Sequence, residues 1–148
     1  MFSWLLSDPL PVGSDAPSFE AKDERGNTVS LDQFRNEKNV VLIFYPADDT
    51  PGCTKQACQI RDSWPEVNTR DIVVFGVNSN NANSHRKFRE KYRIPYPLLV
   101  DQGKKISNRY NTGGLITRRT VYLIGKDGKI LFAQRGMPSP EEIISCAQ

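Results

Sequence analysis

Val40-Val41-Leu42-Ile43-Phe44-Tyr45-Pro46-Ala47-Asp48-Asp49-Thr50-Pro51-Gly52-Cys53-Thr54-Lys55-Gln56-Ala57-Cys58 reads as a strand, a turn and the opening of a helix in one run. Val40 to Tyr45 is wholly apolar and rich in β-branched residues, as a strand covered on both faces should be. Ala47-Asp48-Asp49 is a short polar turn. Thr50 is a residue type that caps helices, and Pro51 suits the first helical position. Cys53 therefore falls in the first turn of a helix. There the unpaired backbone N–H groups and the positive end of the helix dipole favour its thiolate. Cys58 follows five residues later.

Strands and helices alternate outward from this run. Ser18 to Val29 gives two short strands around Glu24-Arg25-Gly26-Asn27, a turn-forming sequence. Ser30-Leu31-Asp32-Gln33 is a capping-box pattern that opens a short helix through Phe34. Asn39 to Tyr45 is the first buried strand. A helix runs from Cys53 to about Trp64, and Pro65 marks its interruption. Asp71 to Val77 repeats the buried-strand signature. Ser84 to Tyr92 is a charged amphipathic helix with Phe88 and Tyr92 spaced by four. Leu98 to Val100 is a short strand, and a short helix lies near Lys104 to Tyr110. Thr120 to Ile124 and Lys129 to Gln134 form a hairpin about Lys126-Asp127-Gly128. Ser139-Pro140-Glu141-Glu142 caps a closing helix. Two buried strands joined through a helix make a parallel βαβ pair. The pattern is α/β: a central mixed β-sheet flanked by helices with an N-terminal β-hairpin, compatible with a thioredoxin-like fold.

Composition narrows the function. The chain has 148 residues, 38% hydrophobic and 25% charged, which suits a single domain over 1–148. Its net charge of +3 comes from 20 basic and 17 acidic residues interspersed along the chain, so no nucleic acid partner is expected. Met1 to Pro9 is apolar but lacks a basic start and stops at Asp8, so neither a secretory signal nor a membrane span is expected. A cytoplasmic protein, with this segment docked or frayed, is the expectation. Three cysteines suit a redox pair plus one spare better than a disulfide framework. With His85 the only histidine and no C-x-x-C element, no metal site is expected.

If Cys53 and Cys58 share one helix, five residues give about 7.5 Å of rise and about 140° of rotation. Their Cα atoms then stand roughly 8–9 Å apart, beyond the limit of about 7 Å for an unstrained disulfide. Joining them requires the first helical turns to unwind, so the pair is a switch and not a brace. Gly52 leaves the approach to the sulfur open. The simpler readings are that Thr50 is only a cap and Cys58 only a small core residue. Cys146, beside Ile143 and Ile144, reads as core, with a second resolving thiol for another subunit as the rival reading. His85 reads as solvated surface, and Asp48 and Asp49 as turn formers. A carboxylate close to Cys53 would oppose its thiolate.

Phe44 to Cys58 resembles, nearly residue for residue, the active-site segment of the peroxiredoxins, and most closely the bacterioferritin comigratory protein or PrxQ subgroup. The family's proline, three residues, threonine, two residues, cysteine is filled here by Pro46, Thr50 and Cys53. The subgroup's Asp-Asp-Thr-Pro-Gly-Cys-Thr stands as Asp48 to Thr54, and its second cysteine matches Cys58. Arg61-Asp62 fits as well, while Gln59 and Ile60 depart from the commoner Gly-Phe. The likeness extends to Val12–Phe19, Ser30–Phe34 and Lys126–Ile130. The family's Arg-x-x-Phe-Leu-Ile register falls on Arg119 to Ile124, which selects Arg119 over its neighbour Arg118. Gly125 replaces the usual aspartate, at a hairpin away from the chemistry.

The resemblance implies a thiol peroxidase. The Cys53 thiolate would attack a peroxide and leave a sulfenic acid. Arg119 would favour the thiolate and hold the sulfur and peroxide oxygens with its planar fork. Thr50 and the Cys53 N–H would orient the peroxide. Pro46 would wall the pocket. Cys58 would resolve the sulfenic acid as an intramolecular disulfide, which a thioredoxin or similar dithiol reductant would reduce. The resemblance implies no cofactor, and a monomer. Two other readings are a thiol–disulfide reductase, which would prefer C-x-x-C at the helix start, and a redox-sensing module that signals through helix unwinding.

Overall fold

The computed structural model describes residues 8–68 and 71–148. The N-terminal segment expected to dock or fray lies, but for its last residues, outside them. Among the described residues, seven strands form one mixed sheet: β1 (Glu20–Asp23), β2 (Thr28–Ser30), β3 (Asn39–Phe44), β4 (Ile72–Asn78), β5 (Leu98–Val100), β6 (Thr120–Ile124) and β7 (Ile130–Arg135). Their spatial order is β2-β1-β5-β4-β3-β6-β7. β3 pairs parallel with β4 and antiparallel with β6, and β4 pairs parallel with β5. The helices are α1 (Pro51–Asp62), α2 (Trp64–Val67), α3 (Ala82–Tyr92), α4 (Lys105–Arg109) and α5 (Pro140–Ile144), with single 3-10 turns at Leu31–Phe34 and Gln102–Lys104. This is the thioredoxin-like arrangement expected from the sequence.

The hydrophobic pattern explains the layering. Every residue of β3 and of β6 is buried, as strands covered on both faces must be. Alternation along the strands then divides the core in two. Val41, Ile43, Tyr45, Val121 and Leu123 face one way, against Ala57 and Ile60 of α1, Phe88 of α3 and Ile143 of α5. Val40, Leu42, Phe44, Tyr122 and Ile124 face the other way, against Leu31, Ile106 and Tyr110.

The local signals are visible at the element ends. Asp23 accepts hydrogen bonds from the backbone N–H groups of Arg25 and Asn27, which closes the β1–β2 turn. The capping box is formed at Ser139 with Glu142, and Asn81 caps α3 by accepting from the Ser84 N–H. α1 starts at Pro51, the position read for the first helical residue, and stops before the Trp64-Pro65 pair. Cys146 corrects an expectation. α5 ends at Ile144, so Cys146 lies past its last turn and is exposed, while Ile143 and Ile144 are buried.

Candidate active site

β3 delivers the chain at the carboxyl end of a parallel pair, where α/β sheets place their sites. Pro46, half-buried, follows directly, and Ala47 to Thr50 turn the chain into α1. Thr50 occupies the cap position with extended backbone, and its carbonyl accepts from the Thr54 N–H at 2.8 Å. Its side chain does not cap the helix. The hydroxyl instead donates back to the Ala47 carbonyl at 3.0 Å. The amides of Gly52 and Cys53 at the helix start are therefore not taken by that hydroxyl. The Thr50 Oγ, its proton spent on Ala47, presents lone pairs.

Cys53 follows at the third helical position and is 2% exposed, sharing a pocket with Tyr45, Gln56, Phe88 and Tyr96. Arg119 reaches it from just ahead of β6. By alternation Arg119 shares a face with Val121 and Leu123, the face of α1, whereas Arg118 falls in step with Thr120 and Tyr122 on the other. Arg119 Nη2 donates to Cys53 Sγ at 3.2 Å, and its Nη1 donates to Gln56 Oε1 at 2.8 Å. A guanidinium held at both prongs is fixed in plane and direction. Gly52 makes room for it: a Cβ there would stand 3.1 Å from Arg119 Nη2.

Cys58 lies half-buried on α1, which runs unbroken from Pro51 to Asp62, and all three cysteines are free thiols. Helical geometry thus keeps Cys53 and Cys58 about 8–9 Å apart at Cα. Near Cys58, burial foremost and then the cysteine itself push the Tyr96 hydroxyl far above its ordinary range. Among the described residues no cluster of three His, Cys, Asp or Glu side chains could hold a metal, and no helix is long and apolar enough to cross a membrane.

The AhpC/TSA family model matches residues 12–133. The chain belongs to the AhpC/TSA family. It is 41% identical over 144 residues to the chloroplastic peroxiredoxin Q of Triticum aestivum, a match covering 95% of this chain and 66% of the wheat protein. It is 36% identical over 132 residues to the putative peroxiredoxin bcp of Coxiella burnetii, covering 82% of this chain and 85% of that one. The crystal structure of peroxidoxin BcpB from Mycobacterium tuberculosis superposes with a TM-score of 0.85 at 29% identity, over 93% of this chain and 96% of that chain. A PrxQ structure from Xylella fastidiosa, at 22% identity and a TM-score of 0.84 over 94% and 96% of the two chains, shares the fold. The chain spans just under two thirds of the wheat protein's length.

In this AhpC/TSA chain three site residues escaped the sequence reading. Gln56 is 4% exposed and holds Arg119; its spacing of three from Cys53 on one helix face was the available signal. Asp48 is more than a turn former. Its side chain is 3% exposed and accepts from Tyr45 OH at 2.6 Å, Ser84 Oγ at 2.8 Å and Asn78 Nδ2 at 3.3 Å. His85 corrects its surface assignment: it is fully buried, with Nδ1 2.6 Å from Asp48 Oδ2 and Nε2 2.9 Å from the Leu99 carbonyl. Burial pushes the Asp48 carboxyl up, but the hydrogen bond and charge of His85, with the Tyr45 and Ser84 hydroxyls, outweigh it and hold the group below its usual range. Asp49, by contrast, meets exposed Lys91 at 2.9 Å and Tyr92 OH at 2.7 Å.

Proposed function

We propose that this chain is a thiol peroxidase that reduces hydrogen peroxide and organic hydroperoxides through Cys53. The observation that carries this reading is the Arg119 guanidinium, pinned by Gln56 and donating to the sulfur of a cysteine in the first turn of α1. A fixed cation and helix-start amides both favour a thiolate there. The thiolate attacks the terminal peroxide oxygen, the O–O bond breaks, and the departing oxygen takes a proton to leave as water or an alcohol. Cys53 is then a sulfenic acid, oxidised by two electrons. Arg119 stabilises the oxygens as the bond breaks. Thr50 Oγ accepts a hydrogen bond from the peroxide O–H, and the Cys53 N–H donates to its oxygen. Pro46 walls the pocket against water.

Cys58 attacks the sulfenic sulfur once the first turns of α1 open. A disulfide forms and water leaves. A thioredoxin-type dithiol restores both thiols and is itself oxidised to a disulfide. The residues over 1–148 act as one domain, as a monomer in the cytoplasm.

Intact-mass analysis of reduced protein given one equivalent of hydrogen peroxide, with peptide mapping, tests the cycle. Loss of two hydrogens with Cys53 joined to Cys58 is expected, followed by turnover when thioredoxin and its reductase are supplied. Oxygen retained on Cys53 without a disulfide would remove Cys58 as resolver. Unmodified protein would overturn the peroxidase reading.

A further inference from the structure

The loop ahead of Cys53 is tied down at one residue by three elements. Asp48 takes side-chain donors from Tyr45 at the end of β3, from Asn78 of β4 and from Ser84 and His85 of α3. Its backbone N–H donates to Asn80 Oδ1 at 2.8 Å, and Asn80 N–H in turn donates to Asn78 Oδ1. His85 extends the tie to β5 through the Leu99 carbonyl.

The Leu99 carbonyl can only accept, so Nε2 carries a proton and donates to it, and one further proton is shared in the 2.6 Å hydrogen bond between Nδ1 and Asp48 Oδ2. Both side chains are out of water, the imidazole wholly and the carboxyl at 3% exposure. Removing either partner leaves a buried polar group unsatisfied, which makes this tie a stronger anchor than the exposed Asp49–Lys91 pair beside it.

We infer that Asp48 and His85 are positioning residues whose buried hydrogen-bonded pair anchors the loop before Cys53 and so sets how readily the first turns of α1 unwind. The link runs through short covalent and hydrogen-bonded steps. Asp48 fixes Ala47, whose carbonyl holds the Thr50 hydroxyl, and Thr50 holds the first helical hydrogen bond to Thr54. Tyr45 shares the Cys53 pocket while its hydroxyl is spent on Asp48. An anchored loop keeps Cys53 folded against Arg119. A loosened loop lets the helix start fray toward the state in which Cys53 can meet Cys58.

This inference rests on the peroxidase reading for its consequence but not for its physics, and the test separates the two. Amide hydrogen exchange of the reduced full chain is compared with that of His85→Gln, Asp48→Asn and the milder Ser84→Ala, with β3 and β4 amides reporting whether each variant is folded. Exchange across residues 52–58 should quicken about tenfold in His85→Gln and less in Ser84→Ala, while β3 stays protected. A second measurement follows the steps after peroxide by rapid quenching and intact mass. Oxidation of Cys53 should slow several-fold while conversion of sulfenic acid to disulfide quickens, a split that general destabilisation would not produce. Unchanged exchange at 52–58 in folded His85→Gln overturns the anchor whether or not peroxide reacts. Failure of wild type to react with peroxide would overturn the peroxidase reading alone.

Discussion

Arg119 Nη2 lies 3.2 Å from Cys53 Sγ although 66 residues separate the two in the chain. The contact exists because β6 runs beside β3, whose carboxyl end leads into α1, and because alternation turns Arg119 and not Arg118 to that side. Gln56 holds the other prong at 2.8 Å, so the cation points at the sulfur before any substrate arrives. Such preorganisation is where enzymes gain most of their electrostatic advantage.

Arg119→Lys should therefore lower the rate of Cys53 oxidation by peroxide on the order of 10²–10³-fold, because an ammonium cannot serve Gln56 and the sulfur with one planar fork. Arg118→Ala should leave that rate essentially unchanged. Stopped-flow competition against a reference peroxidase measures both, and equal losses in the two variants would refute the assignment.

Gly52→Ala separates reactivity from stability. A helix-start alanine is favoured over glycine by roughly 0.4–1 kcal/mol through the unfolded chain. The new Cβ, however, would stand 3.1 Å from Arg119 Nη2 and displace the guanidinium from Cys53. The variant should unfold at equal or higher denaturant concentration yet react with peroxide several-fold more slowly. Unimpaired reaction would show that Arg119 tolerates the shift.

Asp48 predicts an acid limb in stability. Its folded carboxyl sits below the usual carboxylate range, since His85, Tyr45 and Ser84 together outweigh the opposing effect of burial. The unfolded chain therefore binds more protons in acid. The stabilisation is complete above the unfolded value near about pH 4 and is lost as pH falls through the folded value. Asp15, Asp49 and Asp71 shift the same way through lysine partners, but they are solvent-exposed pairs and contribute little. Urea midpoints measured from pH 7 to pH 3 should fall most steeply at the acid end. Asp48→Asn should lower the neutral midpoint and flatten that limb, and an unaltered slope would remove Asp48 as its source.

Residues whose role follows from local pattern were legible in the sequence, and residues defined by distant partners were not. The β3 run, the proline at the start of α1 and the Ser139–Glu142 capping box are short-range signals, and each formed where the pattern placed it. Arg119 needed a register, which the resemblance supplied. His85 lies among charged neighbours on α3, and only the three-dimensional return of Asp48 and the Leu99 carbonyl makes its burial tolerable. Gln56 likewise gains meaning only when Arg119 arrives from β6. Cys146 failed in the other direction. Its apolar neighbours suggested core, but α5 ended before the turn that would have carried it inward.

The spacing of Cys53 and Cys58 on the 12-residue helix α1 makes unwinding a condition of any disulfide between them. In the folded helix their Cα atoms are about 8–9 Å apart, against a limit of about 7 Å for an unstrained bond. The far end of α1 is held by buried Ile60 and by Arg61, whose Nη1 donates to the Tyr92 carbonyl at 2.7 Å. The near end is anchored by Asp48. Opening is thus confined to the turns between them. On oxidation, amides across residues 52–58 should lose protection and the far-UV helical signal should drop by roughly two turns. Both should recover when a dithiol reduces the protein, and Cys58→Ser should abolish the change. A disulfide mapped to Cys53 and Cys58 with the helical signal intact would contradict the switch.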